Sequence, residues 1–346
     1  MIYYCCIMFD KILTVSIAAY NAEKDIARCL DSMINSSVLD FLDIIVVNDG
    51  SSDGTKDIAS EYANKYPNSV RVINKANGGH GSTINVGIVE AKGKYFKIVD
   101  SDDWVDKNGI ERLVDYLMKS DIDLVINPYD IISSKDFSLK THVEPCSDPS
   151  YKNKIVSVNK LSGYEDLHMH SMTFKTEIIK KVGPVIDEKV FYVDMEYCIY
   201  PLLYVNTLSY LDFSVYQYLF GNQTQSCSMM SYIKRRREHE LVILSLIKFY
   251  TTKLFSSQKI KSIVYRRICN AITGHCIIYV NMGNRTARNE LKEFMNLLKE
   301  KEFIYTDFQK SSCRRLFIGC LLNSNYIEFK ILTYVYLLYK TLKREN

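Results

Sequence analysis

Six prolines, fourteen glycines and one tryptophan in 346 residues leave no material for collagen-like or long low-complexity architecture, and no internal repeat stands out. The ten cysteines include no Cys-x-x-Cys pair, so neither a zinc knuckle nor a dithiol redox motif is encoded, and a reducing cytoplasmic setting is expected. A long uncharged run is also lacking. The stretch Ile331 to Tyr339 falls well short of the ~20 residues that span a bilayer, so no transmembrane helix is expected. The opening Met1 to Phe9 is apolar but has no basic leading region, which suits a short disordered or edge segment (1–10) better than a signal peptide. What is present, 47% hydrophobic and 24% charged residues, is ordinary for a globular chain of one large domain or two modest ones.

The net charge of +4 hides a division. Residues 231–346 hold 22 Lys and Arg against 9 Asp and Glu, a net of +13, which leaves −9 on everything before them. From Tyr232 onward the pattern is helical. Leu241, Leu244, Ile247 and Phe249 mark an apolar side after Lys234 to Arg237. Phe329 to Lys343 sets Leu332, Tyr336 and Tyr339 on one face beside Lys340, Lys343 and Arg344. Such a basic region, 229–346, suits contact with an anionic membrane surface, and equally a helical bundle with solvated Lys-rich faces. No nucleic-acid module is recognised, and nucleic acid is not an expected partner.

Before this region the chain alternates short β-rich runs with helical spacing, the α/β signature. Leu13 to Ala18, Asp43 to Val47, Val70 to Asn74, Tyr95 to Val99 and Leu124 to Asn127 read as strands, several of them continuous apolar runs suited to a parallel sheet. Ala22 to Met33, Thr55 to Lys65, Gly81 to Glu90 and Lys107 to Lys119 read as helices. Ligands of open sheets bind beyond the carboxyl ends of strands, where every polar cluster here falls.

The densest of these clusters is Asp100-Ser101-Asp102-Asp103-Trp104. If strand geometry continues through Ser101, Asp100 and Asp102 project to one side and can share a hard divalent cation, Mg2+ or Mn2+, with Asp103 pointing elsewhere. A solvated acidic turn that caps a helix has the same composition. After the first strand comes Ala18-Ala19-Tyr20-Asn21-Ala22-Glu23, and after the second Asn48-Asp49-Gly50-Ser51-Ser52-Asp53-Gly54. A tyrosine there offers a flat face to a base and an aspartate can accept an imide N–H, although Asn-Asp-Gly-Ser is also good turn chemistry. The third loop crowds Gly78, Gly79 and Gly81 before a helix and admits a diphosphate, but Gly-x-Gly-x-x-Gly is absent.

In this order Ser16 to Asn21, Val47 to Asp53, Asn77-Gly78-Gly79, Asn85 and Val99 to Asp103 resemble the family 2 glycosyltransferases. The resemblance is strong over about residues 12–125 and weaker to about 220. It implies a GT-A-type domain over 11–228, a mostly parallel sheet sandwiched by helices, with a nucleotide half (11–127) and an acceptor half (128–228). It further implies a nucleotide-sugar donor, usually UDP-linked, a divalent metal (Mg2+ or Mn2+), and inversion at the anomeric carbon. The donor would meet Ala19, Tyr20, Asn21, Glu23, Asp49, Ser51, Asn77, Gly78, Gly79, Asn85, Asp100 and Ser101, with Asp102 and Asp100 on the metal and Asp103 facing the sugar. The acceptor would be a saccharide or lipid-linked sugar of cell-surface polysaccharide or glycolipid assembly at the inner face of the membrane. Members often carry Ala-Arg-Asn where Thr83-Ile84-Asn85 stands, which leaves Lys97 or His80 to replace that arginine.

By the same resemblance Asp194, in Phe191 to Tyr197, is the base that takes the acceptor proton, with Glu196 as runner-up. His170, Thr173 and Trp104 are candidates for the acceptor, and His170 for a further metal contact. Tyr216, Tyr218 and Gly221 to Ser226 resemble a closing loop over the donor. Residues 135–165 are polar, weakly periodic and assigned to the acceptor side. A nucleotidyltransferase or a catalytically silent nucleotide-sugar binding module would use many of the same parts, but the first normally shows a glycine-rich loop after its first strand, and Ala18 to Lys24 has no glycine.

Overall fold

The computed structural model describes residues 10–146, 148–160, 167–221, 226–301, 319 and 323–342. The opening Met1 to Phe9, most of the Gly221 to Ser226 loop, part of 135–165 and the terminal Lys343 and Arg344 lie outside them. In chain order the elements are β1 (Leu13–Ala19), α1 (Ile26–Ile34), β2 (Leu42–Asn48), α2 (Thr55–Lys65), β3 (Val70–Asn74), α3 (His80–Glu90), β4 (Tyr95–Asp100), β5 (Trp104–Val105) and α4 (Lys107–Met118). They continue with β6 (Leu124–Ile126), β7 (Tyr129–Ser133), β8 (Leu139–Val143), β9 (Lys154–Ser157), β10 (Met172–Lys175), α5 (Thr176–Val182), α6 (Asp194–Ile199), β11 (Thr207–Tyr210) and β12 (Tyr216–Phe220).

All seven residues of β2 are buried, as a continuous apolar run demands of a strand covered on both faces. In α1, Ile26, Leu30 and Met33 form the expected inward stripe, each fully buried and each contributing about 1.5–3 kcal/mol by leaving water. The helix begins at Ile26 rather than Ala22 because the chain first turns, with Asn21 at φ +50° and Asp25 N–H donating to the Ala22 carbonyl. Asp106 caps α4 by accepting from Gly109 N–H at 2.7 Å. A Cβ on Gly109 would lie 2.1 Å from the Ser214 carbonyl oxygen, so only glycine lets α4 approach the chain before β12.

The main sheet has the order β3-β2-β1-β4-β10-β6-β11-β9. β1 to β4 run parallel, β10 is antiparallel to both its neighbours, and β6 and β11 resume the first direction. The mostly parallel α/β sheet is therefore present. A second sheet, β5-β12-β7-β8, is not expected from the sequence: β7 and β8 form a local hairpin, but β12 joins it to β5 only through long-range pairing.

The described residues fall into two compact units, those within 1–222 and 252–264, and those within 223–251 and 265–346. The second unit is helical, drawing on α7 (Met229–Lys234), α8 (Arg236–Thr252), α9 (Gln258–Met282), α10 (Arg285–Lys299) and the helix Tyr326–Leu342. The apolar side of α8 is Val242, Ile243, Leu246, Ile247 and Tyr250; Leu241, expected there, is 52% exposed. In Tyr326–Leu342, Phe329 and Thr333 face inward, while Ile327, Ile331, Tyr334 and Val335 are exposed. No helix among the described residues is long and apolar enough to cross a membrane.

Within this unit two buried imidazoles stack, His239 on His275, with their Nδ1 atoms 3.1 Å apart. Glu240 lies 3.7 Å from His275 Nε2 and accepts from Arg237 and from the Tyr279 hydroxyl; Arg237 also meets Glu290. Burial, then the neighbouring ring, push His239 down to about 3, and burial outweighs Glu240 to hold His275 below its ordinary value. Both are neutral in the folded unit, so the unfolded chain takes up protons first. Their stabilisation is complete above pH ~6.5 and is lost as pH falls below it, by up to ~1.4 kcal/mol per unit for each histidine. Melting followed from pH 7.5 to 5 is expected to show this slope and His239→Phe to flatten it; equal slopes would remove the pair from the account.

Candidate functional site

The loops after β1 and β2 are tied to each other. Asn21 N–H donates to Ser51 Oγ at 3.0 Å, and Asn21 Oδ1 accepts from Ser52 N–H at 2.9 Å. The Glu23 carboxylate accepts from Gly54 N–H at 2.9 Å, and Ala22 N–H donates to Thr55 Oγ1 at 2.7 Å. Asn21, Glu23 and Ser51 thus shape the rim, and buried Ala19 accepts from Asp49 N–H. Tyr20, 55% exposed, presents its ring from this rim.

Asp49 is 3% exposed and anchors the glycine loop. Its carboxylate accepts from Gly78 N–H at 2.9 Å, Gly79 N–H at 2.8 Å and Lys75 Nζ at 2.6 Å, while Asn77 Nδ2 donates to its carbonyl at 3.0 Å. Lys75 and Ser82, whose hydroxyl reaches Asp49 at 3.3 Å, were not picked out from sequence; a lysine one residue past a strand carries no signal of its partner. Gly79 sits at φ +81° against the Lys189 backbone, which donates to the Gly78 carbonyl at 2.6 Å. Asn85 is buried. Its side chain bonds both backbone groups of Ile186, at 2.9 and 3.1 Å, and Glu188 at 3.1 Å, so it pins the 186–189 segment onto α3.

The acidic loop departs from strand geometry. β4 ends at Asp100, residues 101–102 form a turn, and Asp103 N–H donates back to the Asp100 carbonyl at 3.0 Å. The alternation that would pair Asp100 with Asp102 fails for that reason. Asp103 swings inward instead, and Asp100, Asp103 and His170 each offer a ligand atom within 4.8 Å of one another. Ser101 is buried, its N–H donating to the Ala18 carbonyl. Asp102 is half-buried, and burial with the Asp100 charge raises its carboxyl to about 6.

Asp103 is wholly buried, and burial followed by the charges of Asp102 and Asp100 holds its carboxyl well above the usual range. It accepts from the Tyr216 hydroxyl at 2.5 Å and from Leu219 N–H at 2.7 Å. Tyr216 is therefore a buried wall on β12 and not part of a closing loop. Burial would raise Asp100 too, but the bond and charge of His80, 3.2 Å away, bring it below its ordinary value. Burial pushes His170 down to about 3, so its ring is neutral, and its buried Nδ1 has no hydrogen-bond partner among the described residues. The rings of Tyr216 and Tyr218 pack on it, both at 4.7 Å. Lys97 is fully buried, lowered to about 7 by desolvation, and donates to the His170 carbonyl at 2.7 Å; it positions that turn rather than facing solvent.

The sequence profile of "Glycosyl transferase family 2" matches residues 14–183, the stretch that carries the loops after β1 to β4 and His170. Residues 14–183 belong to glycosyl transferase family 2. The protein named "Putative glycosyltransferase EpsH" of Bacillus subtilis is 40% identical over 117 residues, 34% of this chain and 33% of that protein. The minor teichoic acid biosynthesis protein GgaB of the same organism is 34% identical over 123 residues, 35% of this chain and 14% of GgaB. The match spans about a third of the length of the first curated relatives. Among solved structures, residues 1–349 of TarS from S. aureus in complex with UDP-GlcNAc superpose with a TM-score of 0.62 at 16% identity, covering 94% of this chain and 92% of that one. The likeness shows the fold, the GT-A-type α/β sheet followed by a helical region.

Within this family 2 domain and just beyond it lie the remaining expected residues. Asp194 is the first residue of α6, half-buried, and its charge reaches His80. Glu196 is fully buried, accepts from Asp187 N–H at 2.8 Å and the Tyr200 hydroxyl at 3.0 Å, and is raised by burial to about 8. Interior and occupied, it braces the 186–189 segment and does not face an acceptor. Thr173 is likewise enclosed in β10, fully buried, where an acceptor cannot touch it. Trp104 is half-buried in β5 beside the acidic turn.

Proposed function

We propose that the chain transfers a sugar, with inversion, from a nucleoside-diphosphate donor to a saccharide or lipid-linked acceptor of cell-surface polysaccharide assembly. The observation that carries this is the convergence of Asp100, Asp103 and His170 at the carboxyl end of β4, next to the glycine loop that Asp49 organises. The likeness to EpsH and GgaB supports the reaction class and setting; the complex of TarS supports UDP as the nucleotide.

The cluster fits a divalent cation: two carboxylates and a neutral imidazole whose buried Nδ1 lacks a partner among the described residues. An oxygen, oxygen and nitrogen set suits Mn2+ better than Mg2+, which prefers oxygen alone. When bound, such a cation neutralises the departing diphosphate. Tyr20 lies against the base, Asp49 holds the loop beside it, and the backbone of Gly78 and Gly79 borders the phosphates. Asp194 takes the proton from the attacking acceptor hydroxyl. The basic helical region, 229–346, approaches an anionic membrane surface.

Calorimetry of UDP binding with and without Mn2+, alongside donor turnover across nucleotide sugars, tests the proposal. Mn2+-dependent UDP binding and sugar release are expected, and His170→Ala is expected to weaken Mn2+ by more than the roughly 10–100-fold that loss of an outer-shell partner costs. Release of pyrophosphate would indicate nucleotidyl transfer, and binding without turnover a silent binding module.

A further inference from the structure

The hairpin between β7 and β8 has no part in the chemistry above. Its turn is tight: Ser133 and Ser138 pair at 2.9 Å, Phe137 N–H donates to the Ser133 carbonyl at 2.9 Å, and Asp136 accepts from Ser138. The turn places Phe137 at φ +56°, a left-handed position that glycine or asparagine fills easily and that penalises an aromatic residue. Burial does not offset the penalty, because Phe137 is 54% exposed.

Its ring nevertheless belongs to an ordered group. Arg28 lies 5.5 Å from the Phe137 ring and 4.9 Å from that of Trp104, and the two rings are 6.1 Å apart with 43° between their planes. Arg28 is held fast, Nη2 donating at 2.7 Å to both Asp25 and the Asp102 carbonyl. Two rings and a guanidinium thus form one surface fastened to the backbone of the acidic turn.

We infer that Trp104 and Phe137, set on Arg28, form a platform for a pyranose ring of the saccharide acceptor beside the Asp100 to Asp103 turn. The apolar C–H face of a pyranose stacks on aromatic rings, and its rim hydroxyls find Arg28 and Asp25. This rests on the glycosyl-transfer reading, which supplies the class of ligand. The platform adjoins the turn at Asp102, the residue before Asp103 of the cluster.

Trp104 is the single tryptophan of the chain, so its emission reports on this surface alone. The full chain with UDP and Mn2+ is titrated with chitohexaose, cellohexaose and maltohexaose, and UDP affinity is measured separately by calorimetry. A saturable emission change is expected with at least one of the three. Phe137→Gly, which suits the backbone and removes the ring, is expected to weaken it roughly tenfold and leave UDP affinity within about twofold. No emission change with any of the three, or undiminished affinity in Phe137→Gly, overturns the platform. Failure of UDP itself to bind overturns the glycosyl-transfer reading instead.

Discussion

Asp194→Asn is expected to bind UDP with unchanged affinity and to transfer sugar about 10²–10⁴-fold more slowly, the usual cost of losing a positioned base. Direct displacement requires a group that accepts a proton as the acceptor oxygen attacks, and an amide cannot. The position supports the assignment: Asp194 opens α6, and its charge reaches His80, which is itself 3.2 Å from Asp100 of the cluster. Glu196→Gln makes the contrast. Its carboxyl is interior and already bonded to Asp187 and Tyr200, so turnover is expected to persist while the fold loosens. Single-turnover assays of both variants decide between them; full activity in Asp194→Asn excludes it as the base.

Asp49→Ala is expected to destabilise the nucleotide-free chain by about 1–3 kcal/mol, the cost of leaving buried donors without an acceptor. The N–H groups of Gly78 and Gly79 lose their acceptor together, while Lys75 keeps the Ala76 carbonyl and Ser82, and all of them lie in the loop that leads into α3. Urea denaturation without nucleotide measures this. Tyr20→Ala, by contrast, removes an exposed ring and is expected to weaken UDP binding with stability unchanged. If Asp49→Ala keeps full stability and loses only UDP binding, its anchoring role is wrong and base reading is its whole function.

Much of residues 11–127 is legible in the sequence because its signals are local. β3 and α2 match their expected spans, and β1, β2, β4 and α4 differ by a residue or two at their ends, since apolar runs and cap residues act within a few positions. Second-sheet pairing was not legible: β12 meets β5 across more than a hundred residues, and no short-range pattern encodes that choice. The inward stripe of α8 was misjudged at Leu241 because an apolar-rich helix admits several stripes until a neighbour selects one.

The candidate site divides in the same way. By itself the sequence determined that carboxylates, glycines and a tyrosine follow successive strands, because alternating β and α runs force those loops to one edge of a sheet. Only the tertiary structure decided which of them meet. β4 stops at Asp100, so Asp103 rather than Asp102 turns toward the interior, and β10 enters antiparallel beside β4, bringing His170 to the same place. A strand's direction and partner depend on contacts between distant parts of the chain, and those contacts exist only once the sheet has formed.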